Sequence, residues 1–289
     1  MKILRLIALL TIPAISFSQN ELKILSWNLH LLPAPVYAKS KKRLRVDSII
    51  KHLTKSDTTI DLLLFQEVFH QGCRKRLIKG LENLYPYHTP VVNPAKGRLF
   101  KTNSGLIIFS KTPFVQMKSI RYEECSGSDC MAFKGAQFIH TVWNNVPLFV
   151  VNTHLNSQPP RSIALEQTRK IIKELIVPIG NTKVPIILGG DFNINYSDTT
   201  NYNALISILG SSNQKHLDLT QSDQPQELES TLDYLFVYHD QLSEHFTLES
   251  VHKIQIGPSW RPSDGKKVYG KTVGFSDHHA VIMRLKYIP

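Results

Sequence analysis

The chain has 289 residues, of which 42% are hydrophobic and 20% are charged, and its formal net charge is +11. This composition is typical of a globular protein and excludes a collagen, a coiled coil or a long disordered tail. The positive charge favours an anionic partner, which would be a nucleic acid, a phosphate ester or an acidic membrane surface. Basic residues concentrate at 39–43, 74–76 and 261–271, although any one such run is equally consistent with a solvated surface.

The first residues differ in kind from the rest of the chain. Lys2 and Arg5 precede an apolar run at 6–15, and Ser16-Phe17-Ser18 follows with small residues at its first and third places. This order is typical of a signal peptide, which we predict at residues 1–18. The apolar run is too short to be a permanent bilayer anchor. We therefore expect export, either to a periplasm or out of the cell.

The cysteines leave two arrangements open. Cys125 and Cys130 bracket Ser126-Gly127-Ser128-Asp129, a flexible spacer that allows a small disulfide loop in an oxidising compartment. Cys73 would then be a free thiol packed on a helix. The alternative is three unpaired cysteines.

Hydrophobic periodicity predicts an α/β protein with one domain over residues 19–289. Helical spacing occurs at 43–53, 73–84, 163–177 and 201–209. Strands are predicted at 21–27, 61–65, 105–109, 114–121, 135–142, 146–153, 184–188, 232–237, 246–253 and 280–286. Because strands first alternate with helices and then follow one another, we expect mixed rather than purely parallel sheets. No internal repeat or linker divides the chain.

Polar residues stand where several predicted strands end. They are Asn28, Glu67, His154, Asp191 and Asn193. Open α/β folds hold ligands at the carboxyl ends of their strands, so we predict that these side chains converge. Asp233 and Asp277 precede two later strands, and they join the same rim if those strands run antiparallel to the others. For any single position, an ordinary turn is the alternative.

The residue types at these positions favour a hard metal ion and phosphoryl chemistry. Carboxylate and amide oxygens suit magnesium, manganese or calcium better than zinc, whose structural sites prefer cysteine and histidine. A metal of this kind polarises a phosphate while a histidine oriented by a carboxylate deprotonates water. His278 follows Asp277 and is the candidate base, because an unperturbed histidine titrates near neutral pH.

Six short motifs occur in a characteristic order along the chain. They are Trp27-Asn28, Gln66-Glu67, Thr153-His154, Gly190-Asp191-Phe192-Asn193, Leu232-Asp233-Tyr234 and Ser276-Asp277-His278. Each motif is weak alone, but in this order they resemble the endonuclease/exonuclease/phosphatase superfamily. Further segments resemble the bacterial neutral sphingomyelinases, also called sphingomyelinase C: Glu67-Val68-Phe69, Tyr85-Pro86-Tyr87, Ser110-Lys111-Thr112-Pro113-Phe114 and Lys134-Gly135.

This resemblance implies a fold and an activity. The fold is a four-layer α/β sandwich, with two mixed β-sheets face to face and helices outside. The activity is magnesium-dependent hydrolysis of sphingomyelin to ceramide and phosphocholine by a secreted monomer at a bilayer surface, with manganese or cobalt as substitute metals. The alternatives are a secreted magnesium-dependent nuclease, a phospholipase C acting on another phospholipid, and a non-catalytic membrane-binding protein.

The resemblance also implies metal and proton-transfer roles. Glu67 is the expected metal ligand, with Asn28 close to the metal. Asp277 and His278 are the expected water-activating pair, and Asp233 is a supporting carboxylate.

Further roles concern the substrate. Asp191 and Asn193 are expected to orient and bind the phosphate, while His154 stabilises the transition state. Asn103 and Lys134 are expected to contact the substrate as well.

Two departures from the resemblance limit what is carried over. Relatives with a second metal at the edge of the site have acidic residues where this chain reads Lys101-Thr102-Asn103-Ser104-Gly105, so we expect one central metal only. Trp260, Tyr269 and Phe275 are scattered among lysines instead of adjacent. This favours adsorption to a membrane surface over deep insertion, and core packing of these aromatics is the alternative.

Overall fold

The computed structural model describes residues 20–33, 36, 40–95, 97–98, 100–180, 183–211, 231–258 and 275–289. The predicted signal peptide, Trp260, Tyr269 and the basic run at 261–271 lie outside these described residues. Within the described ranges, no helix has both the length and the apolar character needed to cross a bilayer.

The described part of the chain forms eleven strands and four α-helices. The helices are α1 (Lys42–Lys55), α2 (Gln71–Leu81), α3 (Ser162–Ile171) and α4 (Thr199–Leu209). The strands are β1 (Glu21–Asn28), β2 (Leu62–Gln66), β3 (Tyr87–His88), β4 (Ile107–Ser110), β5 (Phe114–Arg121), β6 (Gly135–Trp143), β7 (Val146–His154), β8 (Ile186–Asp191), β9 (Asp233–Val237), β10 (Phe246–Ile254) and β11 (Ala280–Tyr287). Sequence periodicity predicted all of these elements except the two-residue strand β3.

The strands form two sheets, and both sheets are mixed. One has six strands in the order β10-β11-β1-β2-β4-β3, and the other has five in the order β5-β6-β7-β8-β9. Each sheet contains one parallel pair, β1 with β2 and β7 with β8, and each pair is connected through a helix. The remaining pairings are antiparallel.

The two sheets and the helices outside them form four layers, and an apolar cluster lies between each pair of adjacent layers. One lies between the sheets, where Leu64 and Ile108 of the first sheet meet Ile187 and Leu235 of the second. A second cluster joins the first sheet to α1 and α2, and a third joins the second sheet to α3 and α4. Burial of these apolar surfaces is the main force holding the layers together. The predicted four-layer sandwich with helices outside is therefore confirmed.

Strand direction brings the polar strand ends to one rim. The parallel strands β1, β2, β7 and β8 all end there. Strand β9 runs antiparallel to β8, with Asp233 opposite Asp191, and β11 runs antiparallel to β1. Because both later strands start at this rim, Asp233 and the segment before β11 lie beside the strand ends.

Candidate functional site

Asn28 links the two sheets at the centre of the rim. Its fully buried side-chain Nδ2 donates hydrogen bonds to Glu67 Oε1 at 3.2 Å and to Asp191 Oδ2 at 3.0 Å. Glu67 follows β2 in the first sheet and Asp191 ends β8 in the second. The side chain of Asn28 therefore bonds two carboxylates, Glu67 and Asp191, that are 39 and 163 positions away in the sequence.

Unusual backbone conformations place the groups at the strand ends. Glu67 and Asn193 have positive φ angles of 57° and 52°, which turn the chain sharply where the strands stop. Gly190 has a φ of 148°, and a Cβ atom there would lie 2.0 Å from the carbonyl oxygen of Thr153. Glycine is the residue that fits this close approach between β7 and β8. The carbonyl of Glu67 accepts a hydrogen bond from the backbone N–H of Leu31 at 3.0 Å, which fixes the first loop against β2.

His278 pairs with Asp233 across the rim. His278 Nδ1 lies 2.7 Å from Asp233 Oδ2, and Trp27 Nε1 donates to the backbone carbonyl of His278 at 2.9 Å. Burial lowers the pKa of His278, but the charge of Asp233, the hydrogen bond that His278 donates to it, and the charges of Asp191 and Asp277 outweigh burial, so the pKa is well above its usual value. A histidine held by a carboxylate at one ring nitrogen presents the other nitrogen to a substrate.

Asp277 has a different partner from the one expected. Its Oδ2 lies 3.0 Å from Nδ1 of His30, and the same nitrogen is 3.6 Å from Glu67 Oε2. Burial raises the pKa of Asp277, but the hydrogen bond and charge of His30 bring it below the usual range. The expected pair of Asp277 with His278 is thus replaced by Asp233 with His278, because the chain bends at residues 277 and 278 and directs the two side chains to different partners. His30 was missed; its position two residues after a strand-ending asparagine was the available signal.

His154 rests against a lysine. Lys134 Nζ lies 3.0 Å from His154 Nε2, and it also donates to the Leu155 carbonyl at 2.8 Å and pairs with Asp129 Oδ1 at 3.0 Å. Burial, Lys134 and His278 lower the pKa of His154 well below its usual value. A neutral His154 accepts from the ammonium at Nε2 and therefore carries its proton on Nδ1. That Nδ1 is buried and has no hydrogen-bond partner among the described residues.

Asp191 is the most deeply buried carboxylate of the rim, with 2% of its surface exposed. Burial first and then the charge of Asp233 raise its pKa to about 7. The backbone N–H of Asn193 donates to Asp191 Oδ1 at 3.0 Å, and Asn193 Nδ2 donates to the Leu155 carbonyl at 2.9 Å. Asn193 therefore fixes Asp191 and the segment after His154, and its side-chain nitrogen is already engaged.

Other predicted residues lie outside this network. Asn103 folds back on its own loop, with Oδ1 accepting from the backbone of Gly105 at 2.9 Å and Nδ2 donating to the Phe69 carbonyl at 3.4 Å. Phe275 is half-buried, and its ring packs against the aromatic rings of Trp27 and His52. Apolar packing on the first sheet is the physical reason, since Phe275 adjoins the cluster beneath α1.

The structure contains one disulfide, which joins Cys125 to Cys130, among the described residues. It closes the short helical turn Gly127–Met131, which carries Asp129. Cys73 is a free, buried thiol in the first turn of α2.

Four carboxylates, Glu67, Asp191, Asp233 and Asp277, crowd this rim, and buried negative charges need compensation. The Oε2 atom of Glu67 is buried and accepts no hydrogen bond among the described residues, which fits a cation ligand. Asp191, Asp233 and His278 also have potential ligand atoms within 4.8 Å of one another. There, however, the Nδ1 atom of His278 is already engaged by Asp233 Oδ2 at 2.7 Å. The oxygen set around Glu67 is the better fit to a hard divalent cation.

The comparison with protein families is decisive for the fold and the family. The model of the Endonuclease/Exonuclease/phosphatase family matches residues 25–278. This chain belongs to that family. The match extends from β1 to His278 and so includes each of the strand-end groups described above.

Individual members of the endonuclease/exonuclease/phosphatase family resemble the chain over most of its length. Sphingomyelinase C of Listeria ivanovii is 24% identical over 296 residues, covering 91% of this chain and 86% of the relative. Sphingomyelinase C from Streptomyces griseocarneus superposes with a TM-score of 0.74 at 18% identity, covering 92% of this chain and 99% of that one. A beta toxin mutant from Staphylococcus aureus with bound magnesium ions gives a TM-score of 0.73 at 22% identity, covering 91% and 99%. The family and its named members support a phosphodiesterase.

Proposed function

We propose that this chain is an exported, monomeric, magnesium-dependent phosphodiesterase that hydrolyses sphingomyelin to ceramide and phosphocholine. The observation that carries the proposal is the contact of Asn28 with both Glu67 and Asp191, beside the pair formed by Asp233 and His278. The substrate class is supported by the resemblance to sphingomyelinase C of Listeria ivanovii over 91% of the chain.

In this proposal His278 is the general base. With Asp233 holding Nδ1, its Nε2 takes the proton of a water molecule that attacks the phosphorus atom. As the new P–O bond forms, the bond from phosphorus to the ceramide oxygen breaks, and that oxygen leaves as the ceramide hydroxyl with a proton from water. The ring is kept in place by the hydrogen bond from Trp27 to its backbone carbonyl and by Ser276, whose hydroxyl donates to the carbonyl of Asn28 at 2.6 Å. Asp233 also stabilises the imidazolium that forms once the proton is taken.

His154 and Lys134 stabilise the charge that develops on the phosphate. With its proton on Nδ1, His154 keeps Nε2 against the ammonium of Lys134, 3.6 Å from Asp191 Oδ2, and the two side chains lend positive charge where a phosphate oxygen becomes more negative as water attacks. Lys134 fixes the histidine in this tautomer through the contact at Nε2. Lys134 thus acts through His154, while Asn193 and Asn28 orient Asp191, whose Oδ2 lies 3.6 Å from His154 Nε2.

Glu67, with Asn28 and Asp277 nearby, is the group that would hold magnesium. When bound, the ion offsets the carboxylate charge and polarises the phosphate. His30 would then fix the orientation of Asp277 and Glu67, since it contacts both carboxylates.

The test is phosphocholine release from sphingomyelin vesicles with magnesium, measured beside phosphatidylcholine vesicles and plasmid DNA. We expect release from sphingomyelin, its loss in EDTA, and at least a hundredfold loss for His278→Ala, which is about the value of a general base. His245→Ala is the matched control, because His245 lies just before β10, at the opposite end of the strands from the rim, where its ring bonds to the Ile288 carbonyl and stacks on Tyr287.

A nuclease is the second candidate, because the net charge of +11 suits a polyanion. Cleavage of plasmid DNA without release of phosphocholine would replace the sphingomyelinase with this function. Release from phosphatidylcholine alone would keep the chemistry and change the lipid.

A further inference from the structure

Three large apolar side chains are exposed on neighbouring segments of the surface. Phe100 is 84% exposed, Met131 is 54% exposed and Val91 is 38% exposed. We call these three residues the rim patch. Single exposed apolar residues are ordinary, but a group of them on one surface marks an interaction site.

Backbone hydrogen bonds tie the three segments together. The N–H of Thr102 donates to the Met131 carbonyl at 2.8 Å, and the N–H of Ser104 donates to the Val92 carbonyl at 3.1 Å. Asn93 Nδ2 donates to the Phe133 carbonyl at 3.0 Å, which joins the segment of Val91 directly to the segment of Met131. The rim patch therefore rests on a connected surface and not on three independent loops.

The rim patch lies at the same end of the strands as the candidate site. Residues 100–105 lead into β4, which runs antiparallel to β2, and the N–H of Val68 donates to the Gly105 carbonyl at 2.8 Å beside Glu67. Residues 131–134 lead into β6, and Lys134 in that segment contacts His154. A surface that contacts the rim patch would thus lie next to the phosphate-binding groups.

The charges around the rim patch are positive. The segment from Val91 to Ser104 has no acidic residue, and its described part contains Arg98 and Lys101. The guanidinium of Arg121 lies 3.7 Å from the ring centre of Phe133 in the adjoining segment. Asp129, in the same helical turn as Met131, is paired with Lys134 at 3.0 Å.

We propose that the rim patch docks the protein on a phospholipid bilayer, with Phe100 and Met131 entering the headgroup boundary. Apolar side chains flanked by basic ones match this boundary, where acyl chains meet phosphates. Three residues are too few for a stable protein partner, which needs roughly 800 Å² from each side. This inference rests on the proposed function for its lipid substrate, and it adds the surface through which that substrate is reached.

The experiment measures binding of the full chain to vesicles of sphingomyelin and phosphatidylcholine by sedimentation in EDTA, so that no turnover occurs. We expect Phe100→Ala/Met131→Ala to bind at least about tenfold more weakly, since each buried side chain of this size contributes that order of affinity. The control is Val115→Ala/Val177→Ala, whose parent side chains are 62% and 63% exposed. Val115 is the second residue of β5, and the other end of this strand, Arg121, pairs with Gly135 near the site, so Val115 lies at the end of the strand away from the rim.

Binding of the double variant at the wild-type level would overturn the inference, and so would an equal loss in the control. Phe100→Leu should retain most of the binding, which separates apolar contact from misfolding. A water-soluble phosphocholine ester should be hydrolysed by the rim-patch variant within about twofold of the wild-type rate, if the proposed function holds. If no lipid is hydrolysed at all but Phe100-dependent binding persists, the proposed function fails and the docking surface stands.

Discussion

Asp233 and Asp277 occupy the same rim, yet each carboxylate contacts a different histidine. Asp233 Oδ2 is 2.7 Å from His278, whereas Asp277 Oδ2 is 3.0 Å from His30. The sequence placed both acids near the site but could not assign these partners, because pairing across β9 and β11 depends on strand order. The partner of His278 is Asp233, which is 45 positions away in the sequence, and not the adjacent Asp277.

Asp233 and Asp277 should therefore differ in how strongly each raises the pKa of His278. We expect Asp233→Asn to lower the pKa of His278 markedly and kcat at least about a hundredfold, since the charge and hydrogen bond that raise this pKa are lost. Asp277→Asn should move the same pKa less, because Asp277 is the weakest of the causes that raise it. NMR titration of His278 in EDTA, with both variants, measures this directly.

A larger shift with Asp277→Asn would contradict the assignment of Asp233 as the partner.

The pH dependence of stability gives a second check on the pair of Asp233 and His278. The pKa of His278 is raised on folding, so the pair contributes its full stabilisation below the unfolded value of about 6.5. This contribution falls as the pH rises through the raised folded pKa, and Asp233→Asn should remove that decline from the free energy of unfolding.

At the scale of elements, the disulfide-closed turn holds the segment that follows β7. Asp129 in this turn accepts from the N–H of Ser157, and Ser126 donates its N–H to Asn156 Oδ1 at 3.0 Å. Asp129 also pairs with Lys134, which contacts His154. The sequence predicted a flexible spacer between Cys125 and Cys130, but its contact with the segment after β7 arises only from tertiary folding.

Opening this turn should disturb His154. We expect Cys125→Ser/Cys130→Ser to lower kcat about tenfold while KM changes less, because Lys134 would hold the histidine in one tautomer less firmly. The free energy of unfolding should also fall by about 2 kcal/mol, which lowers the thermal midpoint. Steady-state kinetics on sphingomyelin vesicles, beside thermal denaturation, separates the two effects. Cys73→Ala is the control; an equal loss of kcat there would show that the turn has no specific role.

At the scale of the whole molecule, the site is assembled from two similar halves. Each sheet contributes a parallel strand pair joined through a helix, and Asn28 bonds across the junction between them. Periodicity predicted the strands and their polar ends, because both are local properties of the sequence. It could not predict which strands share a sheet, that His30 joins the site, or that Phe275 packs inward, since these follow from contacts between distant residues.

A site that collects four carboxylates from both sheets should couple metal binding to the stability of the entire fold. In EDTA we expect Glu67→Gln to unfold at or slightly above the wild-type temperature, because one repelling charge is removed. Magnesium at about a hundred times its dissociation constant should raise the wild-type free energy of unfolding by about 2.7 kcal/mol, and should stabilise Glu67→Gln much less. Calorimetry of the wild type and Glu67→Gln measures the stability in EDTA and the stabilisation by magnesium. Glu82→Gln, a substitution at an exposed position, is the control. An equal magnesium-dependent shift in Glu67→Gln would show that the ion binds elsewhere, with the group formed by Asp191, Asp233 and His278 as the next candidate.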